Sequence, residues 1–372
     1  MNRTIRRATV PAALVLALGL AACSSDATDD ETTTDTGGEE TSTGAELSGE
    51  IAGAGASSQG AAMEAWMVGF MDANPDANVT YDPIGSGGGR EQFTSGGTDF
   101  AGSDAYLGDE EIAAAEETCG AEGFIEFAGY ISPIAIAYNL PGVEELNLSA
   151  SAVAQIFDGQ ITSWDDPAIA ELNPDAELPD TNITAVHRSD ESGTTENFVD
   201  YLAQAAPEDW PYEVSGDWPT QSGEAAPQTQ GVRAALDGGE GTIGYIDASQ
   251  VGDLGVAAIQ VGEEFVEYSP EAAAAVVDAA ELAEGRPTYS YAFDLPRDTT
   301  ESGVYPIVLV SYQLACLEYE DQETTDLVKG FLSYVISPEG QDAAAQNAGS
   351  APISEALRTQ AQEAIDAITV AG

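Results

Sequence analysis

Three times along this chain a short apolar segment runs into a cluster of glycine and hydroxyl residues and then into a helical pattern. The clusters are Gly53-Ala54-Gly55-Ala56-Ser57-Ser58, Gly85-Ser86-Gly87-Gly88-Gly89 and Ser189-Asp190-Glu191-Ser192-Gly193-Thr194-Thr195. This punctuation restricts the fold more than any other feature, because strands that feed helices through tight turns belong to α/β architectures. A helix start at such a turn offers unpaired backbone N–H groups and the positive end of a dipole. Glycine admits close backbone approach, and serine and threonine add hydroxyl donors. Each cluster is thus an anion-binding corner in outline. Taken singly, Ser57, Ser86 or Ser192 reads as an ordinary helix cap. Three corners in one chain are more informative. None is a nucleotide loop: Gly85–Gly89 lacks a Gly-Lys-Ser/Thr ending, and Ser58 stands where a Gly-x-Gly-x-x-Gly pattern needs glycine.

Periodicity fills in the rest. Strands are predicted at 50–54, 78–84, 100–102, 130–138, 183–187, 243–246 and 305–314. Helices are predicted at 58–73, 90–94, 108–117, 149–157, 192–205, 270–284, 324–337 and 338–347. In the first helix Met63, Trp66, Met67, Phe70 and Met71 fall at helical spacing and read as core. The alternation argues mixed sheets with helices packed on them. No internal repeat is visible.

The first 22 residues stand apart. Arg3, Arg6 and Arg7 precede an apolar run from Ala8 to Ala22, and Cys23 follows in Leu20-Ala21-Ala22-Cys23. A basic head, a short apolar run and a small-residue cleavage site read as a secretory signal peptide over 1–22. The run is shorter than the ~20 residues a spanning helix needs. Leu-Ala-Ala-Cys also resembles a bacterial lipobox, which implies lipidation of Cys23 and tethering to a membrane. Residues 24–49 are rich in Asp, Glu, Thr, Ser and Gly, too poor in apolar surface to fold. Residues 23–48 therefore read as a lipidated cysteine and an acidic, disordered tether. Ten basic residues, three of them in the leader, face 65 acidic ones. That balance argues against nucleic acid or an anionic membrane surface as a partner. Outside the cytoplasm, Cys119 and Cys316 are expected to pair; the alternative is two buried thiols.

The order of several blocks carries a resemblance. Gly-Ala-Gly-Ala-Ser (53–57), Ile-Gly-Ser-Gly-Gly-Gly (84–89), Asp-Phe-Ala-Gly-Ser-Asp (99–104), Ile-Thr-Ser-Trp-Asp-Asp-Pro-Ala-Ile (161–169), His-Arg-Ser-Asp-Glu-Ser-Gly-Thr-Thr (187–195) and Gly-Thr-Ile-Gly-Tyr (241–245) follow one another. Together they resemble the phosphate-binding component of the high-affinity phosphate ABC transporter, the PstS family, from about Gly49 to Ile353. The resemblance implies a two-lobed α/β periplasmic-binding-protein-like fold with a hinge and a central ligand cleft. It places lobe I at 49–131 plus 305–372 and lobe II at 132–304. It implies capture of inorganic phosphate and delivery to ABC permease subunits, with no cofactor, no metal and no catalytic residue. By block matching, Ser57, Ser58, Ser86 and Asp104 form one jaw. Arg188, Ser192, Gly193 and Thr194 form the other, with Asp190 supporting Arg188. Ser58 replaces the family's usual aromatic, and its backbone N–H is the expected contact. Glu191 stands where the family often has glycine, which brings an extra carboxylate near the site.

Elementary chemistry agrees with that assignment. Arg188 offers a bidentate fork to oxyanion oxygens, and pairing with Asp190 fixes its plane. A carboxylate facing an anion repels it unless the ligand brings a proton. Asp104 therefore favours phosphate, which carries protons near neutral pH, over sulfate, which carries none. Arsenate shares phosphate's protons, so an arsenate or sulfate binder is the second reading, and Asp104 separates only sulfate. The third reading is an extracellular phosphoester hydrolase using a serine with His187, the single histidine. It lacks a Gly-x-Ser-x-Gly elbow and a His/Cys metal spacing. Asp165-Asp166, between Trp164 and Pro167, reads as a turn rather than a metal site.

The acidic shell has a measurable consequence. Micromolar capture needs about −8 kcal/mol. Repulsion of a dianion by ~58 charges at ~20 Å, screened over ~8 Å, amounts to roughly 2 kcal/mol. Phosphate affinity and on-rate should therefore rise with ionic strength, as titration and stopped-flow mixing at low and high salt would reveal. A flat or falling profile contradicts the argument.

Overall fold

The computed structural model describes residues 47–372. The leader, Cys23 and the tether up to residue 46 lie outside the described residues. The fold is the expected α/β one, with two lobes built on two half-sheets.

The first half-sheet grows from the strand Ser48–Gly55. Asp76–Asp82 lies parallel on one side and Phe100–Ser103 parallel on the other. Val308–Cys316 then runs antiparallel to Phe100–Ser103. Next comes the long strand Phe124–Asn139, buried at every position from Phe124 to Tyr138. A strand that is buried on both faces needs cover on both, and helices provide it. Residues 124–133 of this strand pair with Val308–Cys316, while residues 134–139 pair with Thr242–Asp247. One continuous strand therefore belongs to both halves. Thr184–Arg188 lies parallel to Thr242–Asp247, and Glu224–Ala226 parallel to Thr184–Arg188.

Where the long strand changes partners, the chain entering Val308–Cys316 runs alongside it, with the Ile134 N–H donating to the Ile307 carbonyl at 2.7 Å. Arg297 braces this junction. Its buried guanidinium donates to the carbonyls of Pro306 and Val308 and to Asp200. Asp200 lies on the helix Gly193–Ala205, so the junction and that helix are tied together.

The first helix spans Gly60–Ala73. Met63, Trp66 and Phe70 enter the core as the periodicity predicts, while Met67 and Met71 sit half-buried at its edge. The Trp66 indole donates to the Gly340 carbonyl at 2.8 Å and ties this helix to Pro338–Ala348. Cys119 and Cys316 form the expected disulfide, with an S–S distance of 2.02 Å. It joins the end of the helix Asp109–Cys119 to the end of Val308–Cys316.

Several boundaries differ from the sequence reading. The helix expected at 90–94 starts at Ser86, so the glycine run forms its first turn. Packing against the strand Ser48–Gly55 and the strand Phe100–Ser103 overrides the low helix propensity of glycine. The alanine-rich helix ends at Asp278, because Glu281–Leu282 pairs instead with Phe293–Asp294. Helices at Gln228–Gly238 and Glu355–Asp366 and a strand at Gly255–Val261 were not anticipated.

Candidate functional site

All three corners meet at the junction of the half-sheets. The first follows the strand Ser48–Gly55. Here Ser57 Oγ lies 3.0 Å from Thr229 Oγ1 and accepts the Thr229 N–H at 3.1 Å. Thr229 lies in the first turn of the helix Gln228–Gly238, so Ser57 satisfies an orphan donor of a helix in the other half. Ser58 is fully buried, and its hydroxyl donates to both oxygens of Asp104, at 2.8 and 2.6 Å. The side chain, not only the backbone expected from block matching, is therefore engaged.

In the second corner Ser86 is the first residue of its helix. Ser86 Oγ accepts the Asp104 N–H at 3.1 Å. Asp104 itself follows the strand Phe100–Ser103 and is 3% exposed. Besides Ser58, its carboxylate accepts from Thr194 Oγ1 and Ser311 Oγ, each at 2.9 Å. Its carbonyl accepts from the Asn197 amide at 2.7 Å. Burial pushes the Asp104 carboxyl above its ordinary value; the hydrogen bonds from Ser58, Ser311 and Thr194 and the charge of Arg188 pull against that.

The third corner follows the strand Thr184–Arg188. Ser192 caps the helix Gly193–Ala205 by accepting the Thr195 N–H at 3.2 Å. The cap reading and the corner reading thus describe the same residue. Gly193 and Thr194 form the first turn of that helix, set directly against the second corner. A Cβ on Gly193 would stand 2.7 Å from Asp104 Cβ and 2.8 Å from Ser86 Oγ, so only glycine fits this approach.

Arg188 is 3% exposed and holds Asp190 through both Nε and Nη2, the fork geometry expected of a bidentate pair. Its backbone N–H donates to the Tyr245 hydroxyl at 3.0 Å. Burial pushes the Asp190 carboxyl up, but Arg188 and the Gln228 N–H outweigh it and hold Asp190 below its ordinary value. Arg188 also borders the second corner. A Cβ on Gly85, whose φ of +101° already favours glycine, would lie 2.6 Å from Asp190 Oδ2 and 3.4 Å from Arg188 Nη2.

Ser58, Ser86, Asp104, Gly193 and Thr194 are thus one contact cluster. Arg188 and Asp190 flank it, Ser57 is linked through Thr229, and Ser192 supports it from the cap. Four further residues join that the sequence reading passed over: Arg90, Asn197, Thr229 and Ser311. Arg90 adds a second cation beside Arg188. It is buried, donates to Ser103 Oγ at 3.0 Å, and pairs with Glu111 and Glu191 at 2.7 Å each. Glu191, the extra carboxylate, therefore points at Arg90 across the junction. The one available signal was the position of Arg90, directly after the glycine run.

The remaining candidates fall away. His187 Nδ1 sits 2.9 Å from the Arg188 carbonyl, and its ring stacks on Trp218 at 4.8 Å. Burial lowers its pKa, and none of its hydrogen bonds reaches a serine. Asp166 caps the short helix Pro167–Ala170 and Asp165 accepts from Ser163, as a turn requires.

Comparison with known proteins gives the family. The profile of the PBP superfamily domain matches residues 40–339. The phosphate-binding protein PstS 3 of Mycobacterium leprae is 35% identical over 84% of this chain and 85% of its own length. The phosphate-binding protein PstS2 of Mycobacterium bovis is 34% identical over 86% and 87%. Among solved structures, the periplasmic phosphate-binding protein PfluDING, crystallised with phosphate, superposes with a TM-score of 0.69. That likeness has 21% identity, covers 85% of this chain and 93% of that one, and speaks for the fold alone. With the sequence matches spanning nearly the whole of both relatives, the chain belongs to the PBP superfamily and, within it, to the PstS family of phosphate-binding proteins.

Proposed function

We propose that this chain captures inorganic phosphate outside the cytoplasm and delivers it to the permease of an ABC importer, without chemical change. The observation that carries this reading is the pairing of opposites across the junction. Arg188, oriented by Asp190, supplies the cationic fork, and two helix starts supply N–H and hydroxyl donors. Facing them stands one buried carboxylate, Asp104. Donors alone would suit any oxyanion. The added acceptor suits one that carries a proton.

In this reading lobe I comprises 49–131 and 305–372, lobe II comprises 132–304, and phosphate enters when the lobes part. Ser57, Ser58, Ser86 and Asp104 contact it from the first lobe; Arg188, Ser192, Gly193 and Thr194 contact it from the second. The Arg90–Glu191 ion pair would break on opening. Cys23 carries lipid after removal of 1–22, and 23–48 tethers the folded part to the outer face of the cell membrane. In the described residues, no helix is long and apolar enough to cross a membrane.

Calorimetry of the full chain, stripped of carried-over ligand, tests this with phosphate, arsenate and sulfate at matched salt. Phosphate should bind with micromolar or tighter affinity, and sulfate should give no heat. Absence of phosphate binding overturns the proposal, and preference for sulfate replaces it with the other oxyanion reading.

A further inference from the structure

We propose that Ser58 and Ser311 determine the anion selectivity of the cleft by holding Asp104 as an ionised acceptor with one position left for a proton on the ligand. This rests on the phosphate reading above and goes beyond it, since Ser311 lies far from every corner motif and the Ser58 side chain was not expected to take part.

The geometry begins with a bulge. Val308–Cys316 and the long strand pair in register until Ser311 faces Tyr130, after which Tyr312 faces Ala128 and Gly129 is skipped. Bulges re-aim side chains and cluster beside functional sites. On its other side Tyr312 pairs with Ser103. Ser311 is thereby set beside Asp104, and its hydroxyl reaches Oδ1 at 2.9 Å. Both Ser311 and Ser58 are completely or nearly completely buried.

A carboxylate has about four lone-pair positions. Ser58 bridges both oxygens with one proton, Ser311 takes Oδ1 and Thr194 takes Oδ2. Each oxygen thus has two hydroxyl neighbours, but Ser58 carries a single proton; settled on one oxygen, it leaves a position on the other for one more donor. An ionised Asp104 fills that room by accepting from a protonated oxyanion. A protonated Asp104 would instead donate an O–H, which suits sulfate as well as phosphate. Selectivity thus depends on keeping the carboxylate charged inside a buried site.

Arg188 helps through its charge, but its guanidinium is bound to Asp190 rather than to Asp104. The other groups that sense Asp104 are Asp247, whose carboxyl is pushed up to about 7 by burial and which disfavours a second anion when ionised, and the buried phenols of Tyr81 and Tyr130, held neutral. Hydrogen bonds to the charged form are the remaining means, and hydroxyls from Ser58, Ser311 and Thr194 provide them. Thr194 also belongs to the anion-binding jaw. The Ser58 hydroxyl, as distinct from its backbone N–H, and Ser311 act through Asp104 and are positioning groups.

The test is the pH profile of sulfate and phosphate binding by calorimetry on the full chain, for wild type, Ser311→Ala, Ser58→Ala and the double variant. Each lost hydroxyl should move the pH below which sulfate begins to bind upward by about one unit. At a fixed neutral pH this reads as a roughly tenfold loss of phosphate-over-sulfate selectivity per hydroxyl. Ser311→Thr keeps the hydroxyl and should restore the wild-type profile. A packing role alone would weaken binding at every pH without moving the profile. If the wild type selects phosphate and the profiles of the alanine variants superpose on it, this inference is wrong and the functional reading stands. If the wild type binds no phosphate, both fall. Should Ser311→Ala fail to fold, Ser58→Ala, outside the sheet, gives the same readout.

Discussion

Replacing Arg188 by methionine is expected to lower phosphate affinity by roughly 10²–10⁴-fold, the loss of two hydrogen bonds to an ion at ~1.5–3 kcal/mol each. The chain has few ways to compensate. Arg90 is already divided between Glu111, Glu191 and Ser103. Removal of the guanidinium also strands Asp190, which would then face the ligand as an unpaired carboxylate. Part of the loss is therefore repulsion rather than a missing donor. That part is separable: Arg188→Met with Asp190→Asn should bind more tightly than Arg188→Met alone. Arg188→Lys keeps the charge but loses the fork, and should fall between wild type and methionine. Titration calorimetry reads all four, with a thermal melt to confirm folding. A loss below tenfold for Arg188→Met would remove Arg188 from the site.

The corners were legible in the sequence because their chemistry is local. A strand end, a glycine and a hydroxyl at a helix start lie within a few residues of one another, and turn chemistry follows from residue type. The partners that complete the site come from far along the chain. Ser311 lies 207 residues from Asp104, Thr229 lies 172 from Ser57, and Arg90 lies 101 from Glu191. No periodicity relates such positions. The assignment of Ser58 shows a different limit. Block matching located the residue, but a serine in place of an aromatic has a new option, and only the closeness of Asp104 shows which it takes.

Boundaries failed where packing opposed propensity. The helix at Ser86 begins in residues that would not start one in isolation, and its first turn is stabilised by what it touches. The helix Gln228–Gly238 buries only Thr229, Val232 and Leu236, too short a stripe to stand out. Glu355–Asp366 buries Ala361, Ala364 and Ile365, which carry little apolar signal. Gln228 adopts a φ of +57°, a strained choice for a residue with a side chain. Its N–H reaches Asp190, so the strain coincides with the support of Arg188.

Asp104→Asn should reverse the selectivity argument with little change in shape. The amide keeps one acceptor and gains a donor, so sulfate no longer meets a buried charge. Sulfate affinity is expected to rise and the phosphate-to-sulfate ratio to fall by ~10³ or more, the scale on which a mismatched polar group discriminates. Stability should move the other way. Burial raises the Asp104 carboxyl above its unfolded value, so the ionised form is disfavoured in the folded state. Its contribution is fully favourable below the unfolded value and is lost as pH climbs through the folded one. The asparagine variant escapes that loss. It should melt at a higher temperature than wild type near neutral pH, and the advantage should vanish towards acid. An unchanged sulfate affinity would sink the acceptor role of Asp104, whatever the melting curve does. A gain in sulfate binding together with a gain in stability would identify the carboxylate as a residue kept for discrimination against the interest of the fold.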